Sequence, residues 1–179
     1  MQIEIGKNCY IAPTAVLIGN VKLSDDVIIL DHAVIRGDLS QIVIGEGTNV
    51  QDNAVIHADP SFPVQVGSGV SIGHGSIVHG STIEDDVIIG MGTTLLNGSH
   101  VGKGSVIGAS SLVLENFKVP GMSLVTGVPG VIKRSDDMKL LEYARRNAQS
   151  YSVLREKYLR QEIERVTGSD IHKSMHHKG

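Results

Sequence analysis

The stretch IEDDVIIGMGTTLLNGSHVGKGSVIGASSLVLENFKVPGMSLVTGVPGV, residues 83–131, places an aliphatic residue at every sixth position: Ile83, Ile89, Leu95, Val101, Ile107, Val113, Val119, Val125 and Val131. A period of six fits neither an amphipathic helix nor a hairpin meander. It fits a solenoid in which each hexapeptide is one short strand and a turn, three hexapeptides close a triangular coil, and the aliphatic side chain points inward to stack on its equivalents in the coils above and below. Small or β-branched residues often follow four positions later, as at Val87, Thr93, Ser99 and Ser105, and Gly or Asn serves corners that need positive φ.

The same phase extends toward the N-terminus in three further blocks. They are Ile5, Ile11, Leu17, Leu23, Ile29, Ile35; then Ile44, Val50, Ile56; then Val66, Ile72, Val78. The joins are slips of nine residues (Ile35 to Ile44), ten (Ile56 to Val66) and five (Val78 to Ile83). Some 21 hexapeptides make about seven coils, so the fold class is an all-β solenoid with the repeats over residues 1–134. Composition agrees: 41% of the 179 residues are hydrophobic, yet the chain has only four Tyr, two Phe and no Trp, as a narrow aliphatic prism requires.

From Ser135 the period changes. Ser135, Asp136 and Asp137 read as an N-cap with an acidic first turn, and Met138, Leu141, Ala144, Ala148, Tyr151, Leu154 and Tyr158 follow at spacings of three and four. A C-terminal α-helix running to about Val166 is expected to dock on the solenoid, within a segment spanning 135–167, and the polar tail 168–179 is expected to be disordered. A net charge of −3 gives no electrostatic footprint for nucleic acid or an anionic membrane. One cysteine, Cys9, excludes an internal disulfide framework, and without a signal-like start or a long apolar run the reading is a cytoplasmic protein.

Eight His remain to be placed. Residues three hexapeptides apart share a face one coil apart, about 4.8 Å along the pairing direction. Ile35, Ile56, Val78 and Leu95 are successive members of one face, so Arg36, His57, His79 and Leu96 form a column. The 22 residues between His57 and His79 are 18 for one coil plus four in the Pro60–Pro63 loop. Two stacked imidazoles can converge on one ion. His74 follows Ile72 on the preceding face, above Asp52 and beside Gln51, and one subunit alone does not bring it to the pair. Three prisms packed about a threefold axis would, which predicts a homotrimer with three intersubunit metal sites. His32 and His100 read as solvated corners, and His172, His176 and His177 as incidental tail residues.

With these residues placed, the chain resembles the gamma-class carbonic anhydrase family, trimers of left-handed parallel β-helices. The resemblance rests on VIRGD (Val34–Asp38), NVQDNAVIH (Asn49–His57), IGHGSIVHG (Ile72–Gly80) and IIGMG (Ile88–Gly92) and spans about residues 5–166. It implies His57, His79 and, from the next subunit, His74 as metal ligands. It implies Arg36 and Asp38 as an interface ion pair, Asp52 as part of the site network, Gln51 as the group orienting metal-bound water, and Tyr151 as a helix tyrosine near the site. The implied cofactor is Zn, with Fe or Co also suited to three imidazoles. The implied reaction is reversible hydration of CO2 to bicarbonate by a metal-bound hydroxide. The loop after His57, HADPSFPVQ, holds one acid, Asp59, and Leu39 follows Asp38, so the acidic proton-shuttle residues of the most active-looking members are missing here. Two alternatives stand beside this: an acyl-CoA thioesterase or hexapeptide acyltransferase at the same cleft, and a noncatalytic trimeric scaffold fastened by metal.

Overall fold

A computed structural model describes residues 2–167; Met1 and the 168–179 tail lie outside the described residues. The chain winds into a parallel β-solenoid of about seven turns followed by one helix. Strand pairing joins the aliphatic residues into three ladders. One runs Ile5, Leu23, Ile44, Val66, Ile83, Val101, Val119. The second runs Ile11, Ile29, Val50, Ile72, Ile89, Ile107, Val125. The third runs Leu17, Ile35, Ile56, Val78, Leu95, Val113. Twenty of the 21 phased residues thus stack as the period requires, and from Leu23 onward these twenty are buried. Ile5 is exposed because no coil lies beneath it.

Val131 is the exception. It is 52% exposed and belongs to the strand Val131–Arg134, which turns back to run antiparallel on Leu124–Thr126. Pro129 and Gly130, just before it, break the repeat, so the eighth step is in phase by number and not by structure. A ring does enter the prism's margin, since Phe117 is partly buried against the core. Corners without glycine still adopt positive φ where a polar residue suits it, as at Asn53 (φ 59°), one coil below Gly75 (φ 65°).

All three slips fall between the third ladder and the first, so the long and short corners pile up on one edge of the triangle. A regular corner takes four residues from Ile18 to Lys22. The next three coils take seven (Arg36 to Val43), eight (His57 to Gln65) and three (His79 to Thr82).

The helix α1 spans Met138–Leu159, shorter than the expected run to Val166. Asp137 caps it, its carboxylate accepting from Lys139 N at 3.1 Å, and the first turn carries no acid. Arg160 (ψ 0°) and Gln161 (φ 56°) end it, although the apolar spacing continues through Ile163 and Val166. It lies against the second ladder's face, burying Leu140, Leu141 and Ala144. Arg155, 6% exposed, donates to Asp26 O at 2.8 Å and pairs with the Asp26 carboxylate at 3.1 Å. Tyr158 stacks on Tyr10 with ring centroids 4.5 Å apart, and Arg165 grips Asp31 with both guanidinium nitrogens.

Candidate metal centre

The irregular edge holds the column read from the sequence. Arg36 pairs in register with His57, and His57 with His79, each one residue past an inward aliphatic. His57 is buried and His79 half-buried. Their rings tilt at 59° with centroids 5.0 Å apart, which brings His57 Nδ1 to 3.0 Å from His79 Nε2. The extra residues of the Arg36 corner bring Asp38 back beside its own arginine: Arg36 donates to both Asp38 oxygens, at 2.7 and 3.0 Å. That guanidinium holds the Asp38 carboxyl below the usual carboxylate range. Asp38 Oδ1 lies 3.4 Å from His57 Nε2.

The eight-residue corner after His57 places Asp59 in the same group, so that one ligand atom each from His57, Asp59 and His79 lie within 4.8 Å of one another. Asp59 accepts from Asn97 Nδ2 at 2.7 Å, and Asn97 Oδ1 lies 2.7 Å from His79 Nδ1. Asn97 was missed in the sequence, where Asn97-Gly98 reads as an ordinary turn. The available signal is the five-residue step from Val78 to Ile83, which shortens the corner after His79 and puts Asn97 exactly 18 residues past that ring.

These contacts decide how the protons lie. A carboxylate only accepts, so Asn97 presents its amide nitrogen to Asp59 and its oxygen to His79. His79 Nδ1 is then the donor, and Nε2 carries the lone pair that faces His57. If His57 Nδ1 donates to that lone pair, neutral His57 is left with an Nε2 lone pair aimed at the Asp38 carboxylate. Nε2 is in fact buried with no hydrogen-bond partner. A cation between the two rings resolves the conflict: both facing nitrogens offer lone pairs, and His57 Nε2–H turns to Asp38. Each ring is then oriented through its second nitrogen by an oxygen, the arrangement in which protein imidazoles hold metals. The 3.0 Å separation is close to the roughly 3.3 Å between two nitrogen ligands that sit about 2.0–2.1 Å from a tetrahedral ion. The residues present therefore fit a metal.

Within one chain His74 is not in this group. It lies on another edge, exposed, with Nδ1 2.8 Å from Asp52 Oδ2. Gln51, buried, donates to Asn49 Oδ1 at 2.9 Å and accepts from His74 N at 3.2 Å. Both ends of the Gln51 amide are thus engaged, and what it fixes is the backbone of His74. Tyr151, on α1, lines a cavity with Gln51 and His74, and burial, followed by the nearby Asp52 charge, pushes its hydroxyl pKa up. His100 pairs with Glu84 at 3.0 Å, and His32 occupies a corner at φ 59°, outside the site.

No helix among the described residues is long and apolar enough to cross a membrane. Comparison with known proteins agrees with the fold. The pattern described as bacterial transferase hexapeptide (six repeats) matches residues 80–115. A protein of Methanocaldococcus jannaschii named probable carbonic anhydrase is 43% identical over 152 residues, which cover 85% of this chain and 96% of that one. Gamma carbonic anhydrase 2, mitochondrial, of Arabidopsis thaliana is 35% identical over 153 residues; 82% of this chain is matched, but the match spans only 55% of the plant protein. Among solved structures, a hexapeptide transferase family protein from Anaplasma phagocytophilum superposes with a TM-score of 0.83 at 31% identity, covering 87% of this chain and 92% of that one. The chain belongs to the gamma carbonic anhydrase-like family of hexapeptide-repeat proteins.

Proposed function

We propose that this protein is a metal-dependent carbonic anhydrase, hydrating CO2 reversibly to bicarbonate at sites shared between the subunits of a homotrimer. The observation that carries the reading is the His57–His79 pair, whose proton pattern is consistent only when a cation or an added proton lies between the rings. Zinc suits the donor set, iron and cobalt also, and such an ion supplies a Lewis acid that makes water a nucleophile near neutral pH.

The chain's own residues do the rest. Asp38, held by Arg36 and 3.4 Å from His57 Nε2, is placed to accept from that N–H once the other nitrogen is a ligand, and so to fix the ring. Asn97, anchored on Asp59, does the same for His79. On the other edge Asp52 holds His74 Nδ1, which leaves Nε2 as the nitrogen offered outward, and Gln51 pins its backbone. His74 therefore has the build of a ligand without a ligand site in its own chain, and a neighbouring subunit supplies one.

The outer surface beside His57 supports the trimer. Val16, Val34, Val55 and Ile77 form a registered column on the same outer face as Arg36, His57 and His79, and three of them are 37–45% exposed. A contiguous aliphatic stripe next to half-buried polar groups is the surface that association covers.

Metal content of the full chain, counted against the His57→Ala/His79→Ala double variant to discount the tail histidines, tests the site. One specific ion per subunit and stopped-flow CO2 hydration are expected. His74→Ala and His79→Ala should each be inactive alone. Unfolded together and refolded as mixed trimers they should recover activity, since one interface in such a trimer unites His57 and His79 of one chain with His74 of the other. No recovery would defeat the shared site, and bound metal without hydration would defeat the reaction.

A further inference from the structure

The corner after His57 carries one of the two phenylalanines in a chain that otherwise keeps large rings out of its coils. Asp59 and Phe62 exchange both backbone hydrogen bonds, Asp59 N to Phe62 O at 3.2 Å and Phe62 N to Asp59 O at 3.0 Å, so residues 59–62 form a closed turn with Pro60 where its fixed φ is suited. Those two bonds set the shape of the turn but not its position over the coil. The Phe62 side chain sets the position. It lies on Gly80 and Gly98, corner glycines one coil apart, joined by Gly98 N donating to Gly80 O at 2.8 Å. A Cβ on Gly80 would stand 2.7 Å from Phe62 Cβ, and one on Gly98 would stand 3.2 Å from Phe62 Cε1. The ring therefore spans two coils and is half-buried, while Pro60, Ser61 and Pro63 around it are exposed. The same missing Cβ on Gly80 makes room for Asn97, whose amide oxygen it would overlap, and that oxygen is the one facing His79 Nδ1. Gly80 is a common floor for two side chains.

These contacts form one circuit: the ring seats the turn, the turn carries Asp59, Asp59 accepts from the Asn97 nitrogen, and the Asn97 oxygen accepts from His79. Its weak point is the Asn97 amide, which has a donor at one end and an acceptor at the other. On an unseated turn the Asp59 carboxylate leaves the Asn97 nitrogen, and nothing then opposes a half-turn of that amide. Turned over, Asn97 donates to His79 Nδ1, the lone pair is held there, and the ring proton moves to Nε2, the nitrogen that faces His57. In that tautomer His79 has no lone pair to offer a cation between the rings. We propose that Phe62 is a positioning residue for His79: seated on Gly80 and Gly98, it keeps Asp59 on the Asn97 amide, keeps that amide from turning over, and so keeps the His79 Nε2 lone pair toward His57. The effect on metal binding rests on the reading of the two histidines as ligands, whereas the tautomer is a property of the metal-free chain.

Long-range proton–nitrogen correlation of the imidazoles, in the metal-free full chain at mildly alkaline pH, reads the tautomer; His79 is assigned by its loss in His79→Ala. Wild type and Phe62→Tyr, which keeps the ring, should hold His79 protonated at Nδ1. Phe62→Leu, which keeps the Cβ contact on Gly80 and loses the ring edge at Gly98, should give a small share of the Nε2–H form, and Phe62→Ala a larger one. Zinc affinity, measured by chelator competition for the ion that the His57→Ala/His79→Ala double variant does not hold, should fall about tenfold in Phe62→Ala, the lower end of what loosening a ligand's hydrogen-bond partner costs, and should be kept in Phe62→Tyr. In an Asn97→Leu background Phe62→Ala should add nothing, because the His79 ring is already free. A lowered urea midpoint with the His79 tautomer unchanged in both Phe62→Leu and Phe62→Ala overturns the proposal and leaves Phe62 a packing residue. An equal tenfold loss in the Asn97→Leu background also overturns it. The expected tautomer shift in a chain that binds no zinc in any form supports the role of Phe62 and defeats the metal reading instead.

Discussion

The coils from Ile83 to Val125 and the coils from Ile35 to Ile83 are built from the same hexapeptide yet have separate tasks. In the upper run every step is six residues, the ladders are continuous, and the inward aliphatics are sealed. In the lower run the steps of nine, ten and five residues fall on one edge, and there the chain gathers Arg36, Asp38, His57, Asp59 and His79, with Asn97 reaching His79 and Asp59 from the first corner of the regular run above. Regular repeats bury area and irregular corners aim side chains. A corner with three or four added residues can turn polar groups back over its own coil without disturbing the ladder that carries it, because the inward residues keep their register on either side of it.

If the two regions are separable in this way, substitutions in them should fail differently. The largest effect belongs to the upper run: Ile107→Ala removes a fully buried side chain from a continuous ladder and should cost about 2–5 kcal/mol in urea unfolding, with metal affinity of the surviving folded protein unchanged. Next is Asn97→Leu, which should lower metal affinity about 10–100-fold by freeing the His79 ring, with a much smaller shift in the urea midpoint. A large loss of stability there would show that the irregular edge also supports the fold.

The smallest effect is at the base, where Arg165 binds Asp31 and depresses its pKa; Thr14 adds a hydrogen bond. A carboxyl whose folded pKa lies below its unfolded value of about 3.9 contributes stability above that value, and the contribution is lost as pH falls through the folded pKa. Arg165→Ala should therefore leave Asp31 titrating nearer its ordinary value in a carboxyl NMR titration, with a slight loss of stability at pH 7 that shrinks as the pH falls through the folded pKa. An unmoved Asp31 would mean that the post-helix segment does not hold this corner.

The ladders and the His57–His79 column were legible in the sequence because a period of six converts residue number directly into position, and the slips could be counted. His74 over Asp52 followed from the same count. Asn97 was not legible, since an Asn before a Gly is what any tight corner uses and its second role exists only across coils. Asp59 was visible as the sole acid of its loop but not as a member of the histidine group, because the path of an inserted loop is not periodic. Gln51 was legible beside His74, and within one chain it accepts from the His74 backbone N–H. The helix end escaped for a related reason, because Ile163 and Val166 keep the spacing after the backbone has left it.

The strand Val131–Arg134 has a consequence for self-association. A stack of parallel coils ends in a row of free backbone donors and acceptors, a template on which another molecule could add as a further coil and so extend a fibre. At the C-terminal end of the second ladder's face that row is taken by a strand of opposite direction, with Lys133 and Arg134 on it. An incoming parallel coil meets reversed polarity and positive charge there, so the reversal acts as a terminator of growth.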